Sequence, residues 1–165
     1  MIIVGENTTS IGLIVGYEEE MHITNGGVAN SMTVKSYGSM YISSGGVANS
    51  TTLNSGGYLS ISSGGVANNT TLNGGSGYNN DVALYISSGG VANSTTVNSR
   101  GCMYISSGGE ANDTTVNSGG GMGIRSGGVA NDTTVNSGGD LRIASGGTAT
   151  NVIWTPWQYI QMFLR

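Results

Sequence analysis

A repeat of 19 residues constrains this chain more than any other feature; Tyr41 to Gly57, YISSGGVANSTTLNSGG, is its clearest statement. A doubled glycine marks each step: Gly26-Gly27, Gly45-Gly46, Gly64-Gly65, Gly89-Gly90, Gly108-Gly109, Gly127-Gly128 and Gly146-Gly147. Five of the six intervals are 19 residues and one is 25, so one unit carries a six-residue insertion. A period near 20 means a stacked array in which each unit buries its apolar face against its neighbours. Glycine supplies 30 of 165 residues, which in an aperiodic chain would point to disorder. The strict period and a hydrophobic share of 37% argue against that here.

Aligning the units from Met21 separates inward from outward positions. Met21, Met40, Leu59, Leu84, Met103, Met122 and Leu141 form one apolar column, and Ile23, Ile42, Ile61, Ile86, Ile105, Ile124 and Ile143 form a second. Between them lies a mixed column, His22, Tyr41, Ser60, Tyr85, Tyr104, Gly123 and Arg142. Apolar, mixed, apolar is a strand with one buried face, its mixed residues in solvent. After the glycine pair, Val34, Leu53, Leu72, Val97, Val116, Val135 and Trp154 point inward. So do Met32, Thr51, Thr70, Thr95, Thr114, Thr133 and Val152, because apolar residues replace threonine at both ends of that column. Thr33, Thr52, Thr71, Thr96, Thr115 and Thr134 then point outward.

A third inward column, Ala29 to Ala149, stands three residues before the inward threonines, so parity breaks and a corner must intervene. Asn30, Asn49, Asn68, Asn93, Asn112 and Asn131 are expected to form it, since asparagine tolerates left-handed backbone. Glycine pairs supply the other two corners. Three strands and three corners make a triangular rung, and rungs stack at ~4.8 Å. A left-handed solenoid would prefer hexapeptide units and a period near 18. The expected fold is therefore all-β: a single-stranded right-handed parallel β-helix (three-sided solenoid) of about seven rungs, roughly 34 Å long.

One domain is expected over residues 1–165. Residues 1–20 would be an N-terminal cap or partial rung, and residues 21–151 the repeats, with the insertion near 74–81. Residues 152–165 would be an apolar C-terminal cap or a segment that packs on another subunit. Nine acids and five bases give a net charge of −4 with no basic cluster, which argues against nucleic acid as a partner. The single Cys102 rules out an internal disulfide and a cysteine metal site. No apolar run reaches the ~18 residues of a membrane helix. The opening MIIVGENTTS lacks the basic region of a secretory signal, so a stand-alone chain would be cytoplasmic.

The units ISSGGVANSTTLNSGG and ISSGGVANDTTVNSGG, with their doubled SGG and intervening T-x-V/L, resemble passenger repeats of AIDA-type autotransporter adhesins over residues 21–151. The resemblance implies a right-handed β-helical passenger at the bacterial cell surface or secreted, acting in adhesion, self-association, biofilm formation and virulence. It implies heptosylation by a dedicated heptosyltransferase at serines before the glycine pair, Ser43, Ser62, Ser87 and Ser106.

Chemistry-bearing residues are few. Asp113 and Asp132 share an outward column in adjacent units with Glu110 nearby, a weak candidate for a cation site or a glycosidase pair. Ser31, Ser50, Asn69, Ser94 and Asn151 fill the rest of that column, so aspartate reads as one polar choice among several. His22 and Cys102 read as outward residues without a role, and the sequons at Asn49, Asn68, Asn93, Asn112 and Asn131 as a by-product of the recurring corner. No cofactor is expected. Tyr41, Tyr85 and Tyr104 share an outward column with Tyr58 beside it, a candidate patch for sugar or protein. These residues add up to a non-enzymatic adhesin-like module whose partner is itself or a surface glycan or protein. A stand-alone β-helix acting as inhibitor or decoy is the alternative, and a polysaccharide-active enzyme a third reading.

Overall fold

The computed structural model describes residues 1–76 and 81–155. Every element in it is a strand, and every strand pair is parallel. One sheet has eight strands: Ile2–Val4, Glu20–Ile23, Ser39–Ile42, Tyr58–Ile61, Val82–Ile86, Gly101–Ile105, Gly121–Ile124 and Asp140–Ile143. The other has eleven on its main and side paths, with full-length members such as Val47–Asn54, Val66–Asn73, Glu110–Val116 and Val129–Val135. The chain alternates between the two sheets, and each strand pairs with its equivalent one unit away. This is the parallel β-helix that the columns predict.

Side chains fall where the repeat puts them. The methionine–leucine and isoleucine columns are buried from Met21 and Ile23 to Leu141 and Ile124; only the terminal Ile143 is open. Ala29 to Ala130 are buried, and Thr51, Thr70, Thr95, Thr114 and Thr133 point inward as expected. Each of those threonine hydroxyls is buried without a hydrogen-bond partner. A hydroxyl removed from water with nothing to bond lowers stability, and Met32 occupies the same column without one. Thr95→Val is therefore expected to stabilise the protein by about 1 kcal/mol, read from denaturant unfolding. A loss of stability of that size would mean that the hydroxyl has a role in the core.

Three features differ from the expectation. Residues 1–20 make a complete rung in register, pairing Ile2 with Met21, Thr9 with Val28 and Val15 with Val34, so the array has eight turns. Its sequence hides the repeat because Gly5 to Thr8 replaces the usual SSGG turn. At the other end Val152, Ile153 and Trp154 pair with Thr133, Thr134 and Val135 as strand, not cap. The rest of the expected apolar cap, 156–165, and residues 77–80 of the insertion lie outside the described residues.

The third difference is the corner. Left-handed backbone falls on Ser31, Ser50, Asn69, Ser94, Asp113, Asp132 and Asn151, one residue after the asparagines and, in the last unit, after Thr150. Those residues are exposed and bend the second sheet between its alanine and threonine halves. The preceding asparagines stay in the strand, and their amides form a ladder. Nδ2 of Asn49, Asn68, Asn93, Asn112 and Asn131 each donates to Oδ1 of the asparagine one rung below, at 2.9 to 3.0 Å. A second ladder runs through Asn54, Asn73, Asn98, Asn117 and Asn136. An amide suits this position because it offers one donor and one acceptor along the rod axis, and so bonds to both neighbours.

Candidate functional site

The outward face of the eight-stranded sheet carries the tyrosines. His22 and Tyr41 pair across adjacent strands, and their rings stack 4.8 Å apart at 19°. Ser60 interrupts this column one rung up, but Tyr58, two residues earlier on the same strand, fills the gap. Its ring lies 5.8 Å from Tyr41 and 5.5 Å from Tyr85. Tyr85 and Tyr104 stack at 5.1 Å, and the Arg125 guanidinium lies 4.9 Å from the Tyr104 ring centroid. Five rings thus form one ladder across five rungs. Glu20 closes its lower end, with a carboxylate oxygen 3.7 Å from His22 Nε2, and Arg125 closes the upper. Gly123 makes room at that end, since a Cβ there would meet the Tyr104 ring at 3.2 Å.

The His22–Tyr41 and Tyr85–Tyr104 pairs stack face to face, and Tyr58 bridges them with its ring tilted 52° to Tyr41 and 33° to Tyr85. Burial raises the Tyr58 pKa above its ordinary 10.0; the Ser60 side chain acts the other way, and Tyr41 and Tyr85 add to the rise. Burial also leads the rise at Tyr104, aided by Cys102 and Tyr85 and opposed by Arg125. Both groups stay protonated longer when folded than unfolded. Their contribution to stability is therefore intact below pH 10 and is lost as pH climbs through the folded values. An alkaline absorbance titration of Tyr58→Phe is expected to lose part of the parent's late-ionising phase and to flatten the alkaline loss of stability. A late phase unchanged in Tyr58→Phe would contradict this.

Of the other sequence candidates, Asp113 and Asp132 line one surface pocket with Thr134 and Asn151, whereas Glu110 does not. Asp113 and Asp132 are exposed in adjacent rungs, but Asp132 Oδ1 accepts from Asn151 Nδ2 at 2.9 Å. Glu110 Oε1 accepts from Asn131 Nδ2 at 3.3 Å, in the asparagine ladder, away from that pair. Among the described residues no three acidic, histidine or cysteine side chains gather as metal ligands. Cys102 is half-buried beside Tyr104. Ser43, Ser62, Ser87 and Ser106 are half-buried, whereas the next serines, Ser44, Ser63, Ser88 and Ser107, are exposed at left-handed turn positions. The sequon amides are spent in the ladder, and their threonines Thr51, Thr70, Thr95, Thr114 and Thr133 are buried.

The sequence columns placed Tyr58 only beside the other tyrosines and missed Arg125. Tyr58 sits in a different column, so its place in the ladder needs the side-chain geometry. Arg125 stands at the position of Ser43 and Ser106, and its reach to Tyr104 depends on Gly123 two residues earlier.

Comparison with known proteins follows the same repeat. A family model described as "adhesin of bacterial autotransporter system, probable stalk" matches residues 76–130 and 107–154. Among curated proteins nothing matches. Among solved structures, the chain superposes on the crystal structure of a TibC-catalysed hyper-glycosylated TibA55-350 fragment with a TM-score of 0.82 and 32% identity. That match covers 93% of this chain and 63% of the fragment, so the chain spans less than two thirds of the relative's length. The repeats of this chain are AIDA-type autotransporter adhesin passenger repeats.

Proposed function

We propose that this adhesin-like passenger segment works by display at the cell surface or after secretion, as a binding module and not as an enzyme, and that it self-associates. The observation that carries this reading is the unbroken register of its polar faces. Outward threonines run from Thr33 to Thr134 and the asparagine ladders from Asn30 to Asn131 and from Asn54 to Asn136, so a second rod can meet the same groups many times. A net hydrogen bond is worth about 1 kcal/mol, and repetition along the rod turns weak contacts into affinity. Biofilm formation would follow from the same contact between cells. Sedimentation velocity of the purified chain over a wide concentration range tests it: concentration-dependent association is expected, and a strict monomer throughout counts against self-adhesion.

We also infer that the SSGG turns are glycosylation sites, with a heptosyltransferase as partner. TibA in the matched structure is hyper-glycosylated by TibC. Each turn of this chain offers a half-buried hydroxyl (Ser43, Ser62, Ser87, Ser106) and an open one (Ser44, Ser63, Ser88, Ser107). Peptide mapping after co-expression with a heptosyltransferase is expected to find heptose on these turns. An unmodified chain overturns the inference.

A further inference from the structure

The ladder and a second aromatic site on the same rod expose their rings in opposite ways. In the ladder, the His22–Tyr41 and Tyr85–Tyr104 pairs cover one another's faces. At the turns ending the first two rungs, Tyr17 and Tyr37 meet edge to face, their centroids 5.5 Å apart at 71°. That arrangement leaves open ring face. The two are also the most exposed tyrosines among the described residues, at 68% and 57%, against 37% for Tyr85.

Tyr17 lies in a turn closed by Glu19 N–H donating to the Gly16 carbonyl, and Tyr37 in the next turn, closed by Gly38 N–H donating to the Lys35 carbonyl. Tyr37 has φ of 60°, the only aromatic residue in the left-handed region among the described residues. Other rungs place Glu18, Gly56, Arg100, Gly119 and Gly138 at that point, with φ of 56° to 81°. Left-handed backbone thus belongs to this turn whichever residue fills it, and Tyr37 there projects its ring into solvent. Tyr17 likewise stands where the next two rungs carry Ser36 and Ser55.

We propose that the Tyr17–Tyr37 corner binds a neutral glycan. The negative face of an aromatic ring attracts the polarised C–H groups on the apolar side of a sugar. A right-angled pair of rings frames one sugar unit better than a flat protein surface. Glu18 and Glu19, in the same turn as Tyr17, supply carboxylate acceptors for sugar hydroxyls; Glu19 already spends one oxygen on the Gly16 N–H at 2.8 Å. With Glu20 adjoining and only Lys35 opposing them, these acids repel sulfated or carboxylated sugars.

Ring-proton NMR of the full chain tests this, with cellotetraose, maltotetraose and lacto-N-tetraose as neutral probes and heparin as the anionic control. Saturable shifts of the Tyr17 and Tyr37 rings with at least one neutral probe are expected, with none from heparin. Tyr37→Asn keeps a side chain that tolerates the turn, and Tyr17→Ser restores the residue of the neighbouring rungs. The double variant should melt as the parent does and bind at least tenfold more weakly. Silence with all three neutral probes, undiminished binding by the double variant, or shifts confined to the Tyr41–Tyr104 ladder would each overturn the proposal. Self-association measured by sedimentation is a separate readout, so either idea can fail alone.

Discussion

Gly65→Ala is expected to destabilise the protein by about 3–4 kcal/mol, while Gly64→Ala, one residue earlier, costs about 1 kcal/mol. The two glycines of the repeating pair look equivalent in the sequence but meet different demands. Gly64 has φ of +76°, and a Cβ there would find nothing nearer than a backbone nitrogen at 4.0 Å. Its substitution incurs only the left-handed penalty. At Gly65 a Cβ would lie 2.4 Å from the Ile42 carbonyl oxygen and 2.6 Å from its carbon. That carbonyl accepts the Ser62 N–H at 3.0 Å, and Val66 N–H donates to the Gly46 carbonyl at 2.9 Å. Making room for one methyl means prising two rungs apart and stretching those bonds. The same clash recurs at Gly27, Gly46, Gly90 and Gly109. Urea denaturation of the two single variants is the measurement, and equal losses would contradict the distinction.

Leu84→Ala should cost ~2–5 kcal/mol, and Leu84→Met under about 1.5 kcal/mol. Leu84 is fully buried, with Leu59 and Met103 as its paired residues in the rungs below and above. Alanine leaves a cavity that flanking rungs cannot close, because their backbones are fixed by parallel ladders on both sides. Methionine already fills the column at Met40, Met103 and Met122, so the core accepts its shape. In a stacked array each unit touches only its neighbours. Hydrogen exchange in Leu84→Ala should therefore rise first between Tyr58–Ile61 and Gly101–Ile105, with Ile2–Val4 protected as before. Uniform loss of protection along the rod would instead indicate one global cooperative unit.

Much of this architecture was legible because a solenoid repeats its environment. Seven copies of one position sample the same surroundings, so the column from Met32 through Thr51 to Val152 reveals an inward direction that a single threonine conceals. Where copies were absent, the reading was poorer. The first rung carries Gly5-Glu6-Asn7-Thr8 in place of SSGG, and only its pairing with Met21, Val28 and Val34 identifies it as a rung. The corner was misplaced by one residue for a related reason. Asn49 and Ser50 both suit a bend, and sequence offers no preference between an asparagine that turns and an asparagine that ladders.

The candidate site was less legible than the fold. Columns showed that Tyr41, Tyr85 and Tyr104 share a face, but whether their rings open to a ligand or close on each other depends on side-chain rotation. The structure stacks them, through Tyr58 and beneath Arg125, and leaves the open faces at Tyr17 and Tyr37, which belong to no repeating aromatic column.

The sequence by itself determined the period, the inward and outward columns, and with them the parallel β-helix, because identical units must bury identical faces against one another. Only the tertiary structure decided which glycine is fixed by contact and which by conformation, where each rung bends, and which tyrosine faces stay open. Those depend on distances between residues 19 or more apart in the chain, set when one rung settles on the next.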